Sequence, residues 1–432
     1  MSEPTVPTVS EPTVSEPTVS EPTGTTPMGA GSMSARPTVD RWRPAWAAVD
    51  LDAVRHNAGL LGRVAGPAAL CAVVKADAYG HGDVAVARAA LEGGATWLAV
   101  ALVEEGAHLR DAGVDAPVLL LSEPGPEGMA EAVARRLVPT VYTPGGLEAL
   151  ARAAGPRGVA PVAVHLKVDT GMHRVGADAA DVGPLADRIA ADPALELGAV
   201  WTHLAVSEGS ATPDRQFTAL QLERFDAVLA GLSDAGHRPP MTHVANSAGA
   251  IGVPASRRDM VRCGIALYGV SPTPALADTL ARDTGGERLR PVLSLHSRVT
   301  YVRDLDAGER PSYGRRRPLP GPGRSQVATV PLGYADGVPR RLFDQGGEVL
   351  IGGIRRPLAG VVTMDQIVVD CGPVGTAPVA VGDEVVLLGR QGDEEITATE
   401  WADLLGTISY EVLCDIGPRV PRLVRTGGTT QD

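Results

Sequence analysis

Cysteine is scarce in this 432-residue chain, which has only Cys71, Cys263, Cys371 and Cys414. No two of them form a C-x-x-C pair, so neither a disulfide framework nor a zinc knuckle is indicated, and no metal site is expected. Aromatic residues make up 3 % of the chain, no basic stripe interleaves with them, and the net charge is −12. This pattern argues against nucleic acid as a partner. The chain lacks an apolar run long enough to span a bilayer. It also lacks the basic and apolar regions of a secretory signal at its start. The expectation is a protein of the reducing cytoplasm with no membrane partner.

What is present is apolar material, 44 % of the residues, ample for a large core. The length suits two or more domains. The first 38 residues carry a degenerate Ser-Glu-Pro-Thr-Val repeat. Proline at that density blocks helix and sheet ladders, and few apolar groups remain to offset ordering entropy. Residues 1–38 are therefore expected to be a disordered tail. We read it as a tolerated extension, with Met28 or Met33 as rival starts, rather than a docking segment.

From Val39 the texture changes. "WAAVDLDAVRHNAGLLGRV" reads as a strand over 43–50 and then a helix from near Asp52. Short apolar runs then alternate with Ala-rich helical stretches that mostly end at Gly or Asp-Pro. The strand candidates are "CAVV", "WLAVAL", "VLLL", "VPTV", "PVAVHLKV", "LGAVWTH", "MTHVA" and "CGIALYG". Eight such alternations predict an α/β domain, a (β/α)8 TIM-like barrel over 39–284. Beyond it, runs such as "PVLSLHSRVTYVRDL" and "EVLIGGIRRPLAGVVTMDQIVVD" predict a mainly antiparallel β domain over 285–425, with one helix near "TATEWADLLG" and a tail at 426–432. The 43–50 strand is expected to pair with that second domain.

One stretch stands out for its chemistry. "CAVVKADAYGHG" ends a buried strand on Lys75, with Tyr79 one helical turn further on. Barrels carry catalysis at the C-terminal ends of their strands. A desolvated amine there can form a Schiff base with an aldehyde cofactor. Taken alone, the stretch would also suit a lysine snorkelling at the barrel rim.

Eight further stretches follow in order: "KVDTGMHRVG", "WTHLAVSE", "HVANSAG", "VRCGIALYG", "PSYG", "VPLGYADG", "VTMDQIVVD" and "TISYEVLCDIGPRVPR". With "AVVKADAYGHG" they strongly resemble the alanine racemase family, fold-type III enzymes dependent on pyridoxal 5′-phosphate (PLP). The resemblance covers residues from about 40 to 425. It implies two-base interconversion of L- and D-alanine, supplying D-alanine for peptidoglycan.

The resemblance also implies residue roles. Lys75 would carry PLP and act as one catalytic base, and Tyr313, in "PSYG", would be the other. Tyr79, Asn246, Ser247, Gly264, Ile265 and Tyr410 would hold the cofactor, chiefly its phosphate. Arg262 would face the pyridine nitrogen. Because arginine only donates, it makes a shallower electron sink than a carboxylate would and disfavours transamination. From sequence alone, a salt bridge between Arg262 and Asp259 is equally open. Arg174 would bind the substrate carboxylate, where a guanidinium suits a planar anion. Met364 would contact substrate, and Lys167, Tyr334 and Asp365 would support the site. The lysine matching Lys167 can be carbamylated in family members. His203 would join the cofactor-binding set and bond the second base, since an unperturbed phenol with a pKa of about 10 needs help to act as one. In the family Tyr313, Tyr334, Met364 and Asp365 come from a partner subunit, which implies a homodimer with shared active sites.

Three departures from the common pattern are visible: Asp77 where Asn is usual, Thr363 where Cys is usual, and Gly417–Pro418 before Arg419. Rival readings are a racemase of serine or of broader range, a PLP decarboxylase of the same fold type, and a non-catalytic PLP carrier. The "PSYG" tyrosine and Arg262 argue against the decarboxylase, and the second domain argues against the carrier.

Overall fold

A computed structural model describes residues 42–155, 161–427 and 429–431. The tail expected at 1–38 lies outside them.

The leading strand, β1 (Ala45–Asp50), does not enter the barrel. Asp50 ends it and caps the next helix, Leu51–Ala65, by accepting from the Ala53 N–H at 2.9 Å. Eight parallel strands follow: β2 (Ala69–Val73), β3 (Trp97–Val100), β4 (Val118–Leu120), β5 (Thr140–Val141), β6 (Val162–Lys167), β7 (Leu195–Trp201), β8 (Thr242–His243) and β9 (Met260–Cys263). Their order in the sheet is β4-β3-β2-β9-β8-β7-β6-β5. A parallel bridge between Leu119 and Val138 joins its two ends and closes the barrel. The strands read as near-continuous apolar runs because both faces are covered, by helices outside and by packed side chains within.

The second domain holds β10 (Leu293–Arg298), β11 (Tyr301–Leu305), β12 (Ser325–Val330), β13 (Glu348–Ile351), β14 (Ile354–Pro357), β15 (Ile367–Pro373), β16 (Glu384–Gln391), β17 (Glu394–Ile396) and β18 (Arg422–Thr426). One sheet runs β14-β13-β16-β10-β1-β18 and ends on β19 (Thr429–Gln431), which pairs antiparallel with β18 and so corrects the reading of 426–432 as a tail; a smaller sheet runs β11-β12-β15. Strand β1 lies antiparallel to β10 and parallel to β18, so the first strand of the fold is stitched between two strands of the second domain. The expected helix near "TATEWADLLG" is Ala398–Leu405. A second, Ser409–Cys414, follows it and was not expected.

The eighth barrel strand differs from expectation. It is "MVRC", Met260–Cys263, and most of "CGIALYG" is a 3-10 turn over Ile265–Tyr268. Gly264, at φ −102° and ψ −93°, breaks the strand. The N–H groups of Gly264 and Ala266 then turn to the Ser247 hydroxyl oxygen, at 3.0 and 3.4 Å, instead of to a strand neighbour.

Candidate active site

Lys75 leaves the C-terminal end of β2 and begins a one-turn segment, Lys75–Gly80. The turn is left-handed: Ala76, Asp77, Ala78 and Tyr79 all have φ between 51° and 54°. Tyr79 stands one helical turn beyond Lys75, but that turn winds in the left-handed sense. Asp77 fits this position well, since Asp and Asn tolerate the left-handed region best among non-glycine residues. Its carboxylate accepts from the Asp83 N–H at 2.9 Å. An asparagine oxygen could do the same, which makes that departure from the family pattern a neutral one. Burial, followed by the nearby Arg174, lowers the Lys75 pKa and favours the neutral, nucleophilic amine.

The neighbouring strand ends converge on Arg262, which is buried near the end of β9. Its guanidinium donates to the Thr202 and Val244 carbonyls at 2.8 and 3.0 Å and to His243 Nδ1 at 2.7 Å. It also reaches His203 Nδ1 at 3.3 Å. No acid pairs with it among the described residues: Asp259 instead accepts from the Thr242 amide and hydroxyl. The salt-bridge alternative for Arg262 is therefore set aside. Burial lowers the Arg262 pKa to about 10, so it stays charged at neutral pH.

Because arginine only donates, Nδ1 of His243 and of His203 must be acceptors. The His243 Nε2–H then donates to His165 Nδ1 at 3.1 Å. Trp201 stacks on His243 at 5.2 Å, with Arg262 Cζ 4.5 Å and Lys167 Nζ 4.2 Å from its ring centre. Burial, then the positive charges of Arg262 and Arg174, bring the Lys167 pKa down to about 7. Arg174 stands in the loop after β6, whose shape Asp169 sets by accepting from the Gly171 and His173 N–H groups.

His165, His243 and Trp201 were not singled out in the sequence. Alternation carries the signal that could have found them: His165 pairs with Lys167, and Trp201 with His203, two residues apart and hence on one strand face. Composition carries a second signal. The chain has only two lysines, Lys75 and Lys167, and both lie here.

Polar groups gather where the loops after β8 and β9 meet the turn that follows Lys75. Asn246 caps the helix Ser247–Gly252 by accepting from the Gly249 N–H, and it also accepts from the Ser207 hydroxyl, both at 2.9 Å. Ser247 faces Gly264, as described, and buried Ile265 follows. A Cβ on Gly264 would lie 2.3 Å from the Tyr79 hydroxyl, so the phenol is in place only because glycine is there. Tyr410 arrives from the β domain with its ring centre 6.1 Å from that of Tyr79. A hydroxyl, two phenols and backbone N–H groups at a helix start suit a phosphate group. The amine suits an aldehyde. This donor set therefore fits a small phosphorylated aldehyde.

Tyr313, Tyr334, Met364 and Asp365 gather elsewhere. Tyr334 N–H donates to the Thr363 carbonyl at 2.9 Å and Ala335 N–H to the Met364 carbonyl at 3.1 Å. Ser312 donates to the Val361 carbonyl at 2.6 Å, which ties the Tyr313 turn to the same surface. Arg419 bridges buried Asp336 and Asp365, and Arg43 also pairs with Asp336. Tyr313 is 71 % exposed, and no hydrogen bond, ion pair or ring contact among the described residues joins it to Lys75. Within one chain the site thus has one of its two expected bases.

The buried histidines predict acid sensitivity. Burial lowers the His81 pKa to about 4 and, with Arg262, the His165 pKa to about 3; His203 and His243 move the same way. Between those values and the unfolded value of about 6.5 the unfolded chain binds more protons. Stability is therefore full above 6.5 and falls as pH drops, by ~1.4 kcal/mol per unit for each such histidine. Melting temperature is expected to fall steadily from pH 7 to pH 5; a flat profile would contradict neutral histidines.

The fold and site define a class: a two-domain barrel enzyme built around a strand-end amine and a phosphate cradle. Residues 49–272 match the family description "Alanine racemase, N-terminal domain", and residues 292–424 match "Alanine racemase, C-terminal domain". The chain belongs to the alanine racemase family. It is 48 % identical over 392 residues to the alanine racemase of Symbiobacterium thermophilum, covering 91 % of this chain and 99 % of that one. Identity to the Frankia casuarinae alanine racemase is 43 % over 380 residues, covering 87 % and 95 %. The crystal structure of alanine racemase from Bacillus anthracis with bound L-Ala-P superposes with a TM-score of 0.82 at 36 % identity, covering 91 % and 97 %. That from the D-cycloserine producer Streptomyces lavendulae gives 0.80 at 38 %, covering 89 % and 98 %. No helix among the described residues is long and apolar enough to cross a membrane.

Proposed function

We propose that this protein interconverts L- and D-alanine with pyridoxal 5′-phosphate, as a cytoplasmic homodimer, and so supplies D-alanine for peptidoglycan. One observation carries the reading: Lys75, Lys167, Arg174, His203 and Arg262 meet at one barrel end, where burial and the neighbouring positive charges lower the pKa of Lys75, Lys167 and His203. The phosphate belongs with Ser247, Tyr79, Tyr410 and the Gly264 and Ile265 backbone, with Asn246 shaping that helix start. Bound there, the cofactor would draw electrons from the substrate α-carbon and acidify its proton.

The chain's own residues do the rest. Lys75, lowered by burial, is an amine able to hold or release a proton on one face. Arg174 orients the carboxylate. Arg262 donates and cannot accept, which keeps the electron sink shallow and protects against transamination. His203 has Nδ1 committed to Arg262, so its Nε2–H is left to donate toward a phenolate. The second base is then Tyr313 of a second copy, with Tyr334, Met364 and Asp365 lining its approach. The exposure of Tyr313 in the single chain supports a site completed by a partner. Lys167, with a pKa of about 7, is neutral often enough to take up carbon dioxide and become an anion beside Arg174.

Racemisation assays on a panel of L-amino acids test the proposal. Alanine should turn over fastest. Preferential turnover of serine, or decarboxylation of any member, would overturn it.

A further inference from the structure

The turn after Lys75 poses a mechanical problem. Left-handed conformations bring the Cβ of an L-residue too close to the following carbonyl oxygen and are disfavoured. Here four non-glycine residues in succession adopt them, at φ/ψ of 54/52, 51/47, 53/51 and 54/38 degrees. Of Ala-Asp-Ala-Tyr only the Asp tolerates this region readily, so outside groups must hold the others.

The first of the four is held by a side chain from another strand end. The Ala76 N–H is the first amide after the lysine. It donates to Glu105 Oε1 at 2.6 Å. The other oxygen, Oε2, accepts from the Ala101 and Leu102 N–H groups at 2.8 and 3.1 Å. Those two residues follow β3 and lead into the helix Val103–Asp111. One half-buried carboxylate thus ties the start of the lysine turn to the end of the adjacent barrel strand. Arg422, from β18, holds the far end of the turn by donating to the Gly80 carbonyl at 2.8 Å.

We propose that Glu105 is a positioning residue: its carboxylate holds Ala76 in the left-handed conformation and so aims the Lys75 amine into the barrel mouth. The inference rests on the reading of Lys75 as the cofactor lysine. Three N–H groups converge on two carboxylate oxygens. A glutamine has one acceptor, and its NH2 would face a donor. Glu105→Gln therefore loosens the clamp while keeping size and shape. A role limited to capping the helix would also be disturbed by that change, so the test must separate the two.

Glycine does this. Without a Cβ it adopts positive φ freely. Ala76→Gly should therefore relieve the turn without restoring the helix cap. The experiment uses the full-length holoenzyme and its apoprotein as wild type, Glu105→Gln, Ala76→Gly and the double variant. It reads the rate at which PLP added to apoprotein becomes borohydride-fixed on the Lys75 peptide, kcat and KM for alanine, and melting temperature. Glu105→Gln should slow capture and lower kcat by ~10²-fold, the scale of a misplacement of about 1 Å, with KM changed less than kcat. In the double variant capture and kcat should recover at least ~10-fold toward the Ala76→Gly single variant, while the melting temperature stays low.

If Glu105→Gln does not fold, Ala76→Val leaves the helix cap intact and makes the left-handed conformation costlier. It should reproduce the slow capture. Capture and kcat within ~2-fold of wild type in Glu105→Gln or Ala76→Val, or an unrescued double variant, overturns the positioning role. Wild type fixed at a site other than Lys75 would instead overturn the cofactor reading, and the inference with it.

Discussion

Tyr313→Ala is expected to lower racemisation in both directions by at least ~10²–10⁴-fold, the range for a lost acid–base group, while PLP stays attached to Lys75. Either direction needs one group to take the α-proton and the other to return it from the opposite face. With the phenol gone, Lys75 can still exchange the proton of the enantiomer that faces it. In D2O the variant should therefore wash deuterium into one enantiomer, expected to be D-alanine, without inverting it. The other enantiomer should remain nearly untouched. Equal exchange into both would remove the two-base assignment. The exposed setting of Tyr313 within one chain adds a second arm. Mixing Tyr313→Ala with Lys75→Ala should build hybrid dimers that carry one intact site and recover part of the activity. Hybrids demonstrated to form, yet inactive, would refute the shared site while leaving the chemistry standing.

Lys75→Ala should cost more, ~10⁴-fold or beyond, because it removes a base and the covalent anchor together. The composition makes this measurement clean. Of 39 basic Lys and Arg residues only Lys75 and Lys167 are lysines. After borohydride reduction, peptide mass analysis of the wild type should place PLP on the Lys75 peptide alone. In Lys75→Ala the reducible linkage should vanish. A linkage that survives at Lys167 would show that the other buried amine, with its pKa near 7, is the one that binds the aldehyde.

Much of this site was legible in the chain before folding. Alternation of apolar runs and Ala-rich helical stretches specified the barrel, and Lys75 was legible as a lysine delivered at a strand end. These are local signals: strand and helix periods record which side of each element is buried, and that record survives in one dimension. The motifs also supplied roles for Arg174, His203 and Arg262, although their meeting at one point needed the barrel to close.

The tertiary structure decided what depends on distant groups. The eighth strand ends at Cys263 because Ser247, 17 residues earlier, takes the Gly264 N–H. The turn after Lys75 is left-handed although its two alanines and its tyrosine disfavour that, held by Glu105 at 29 residues' separation and by Arg422 across the domain boundary. Arg262 faces histidines and carbonyls rather than the acid three residues before it, because barrel closure brings β7 and β8 beside β9. Tyr313 is left exposed within one chain because the β domain carries it on a surface turn, Tyr313–Arg315. In the first three cases a hydrogen-bond donor or acceptor far along the chain outweighed the local preference, and only the packed fold brings such a partner within reach.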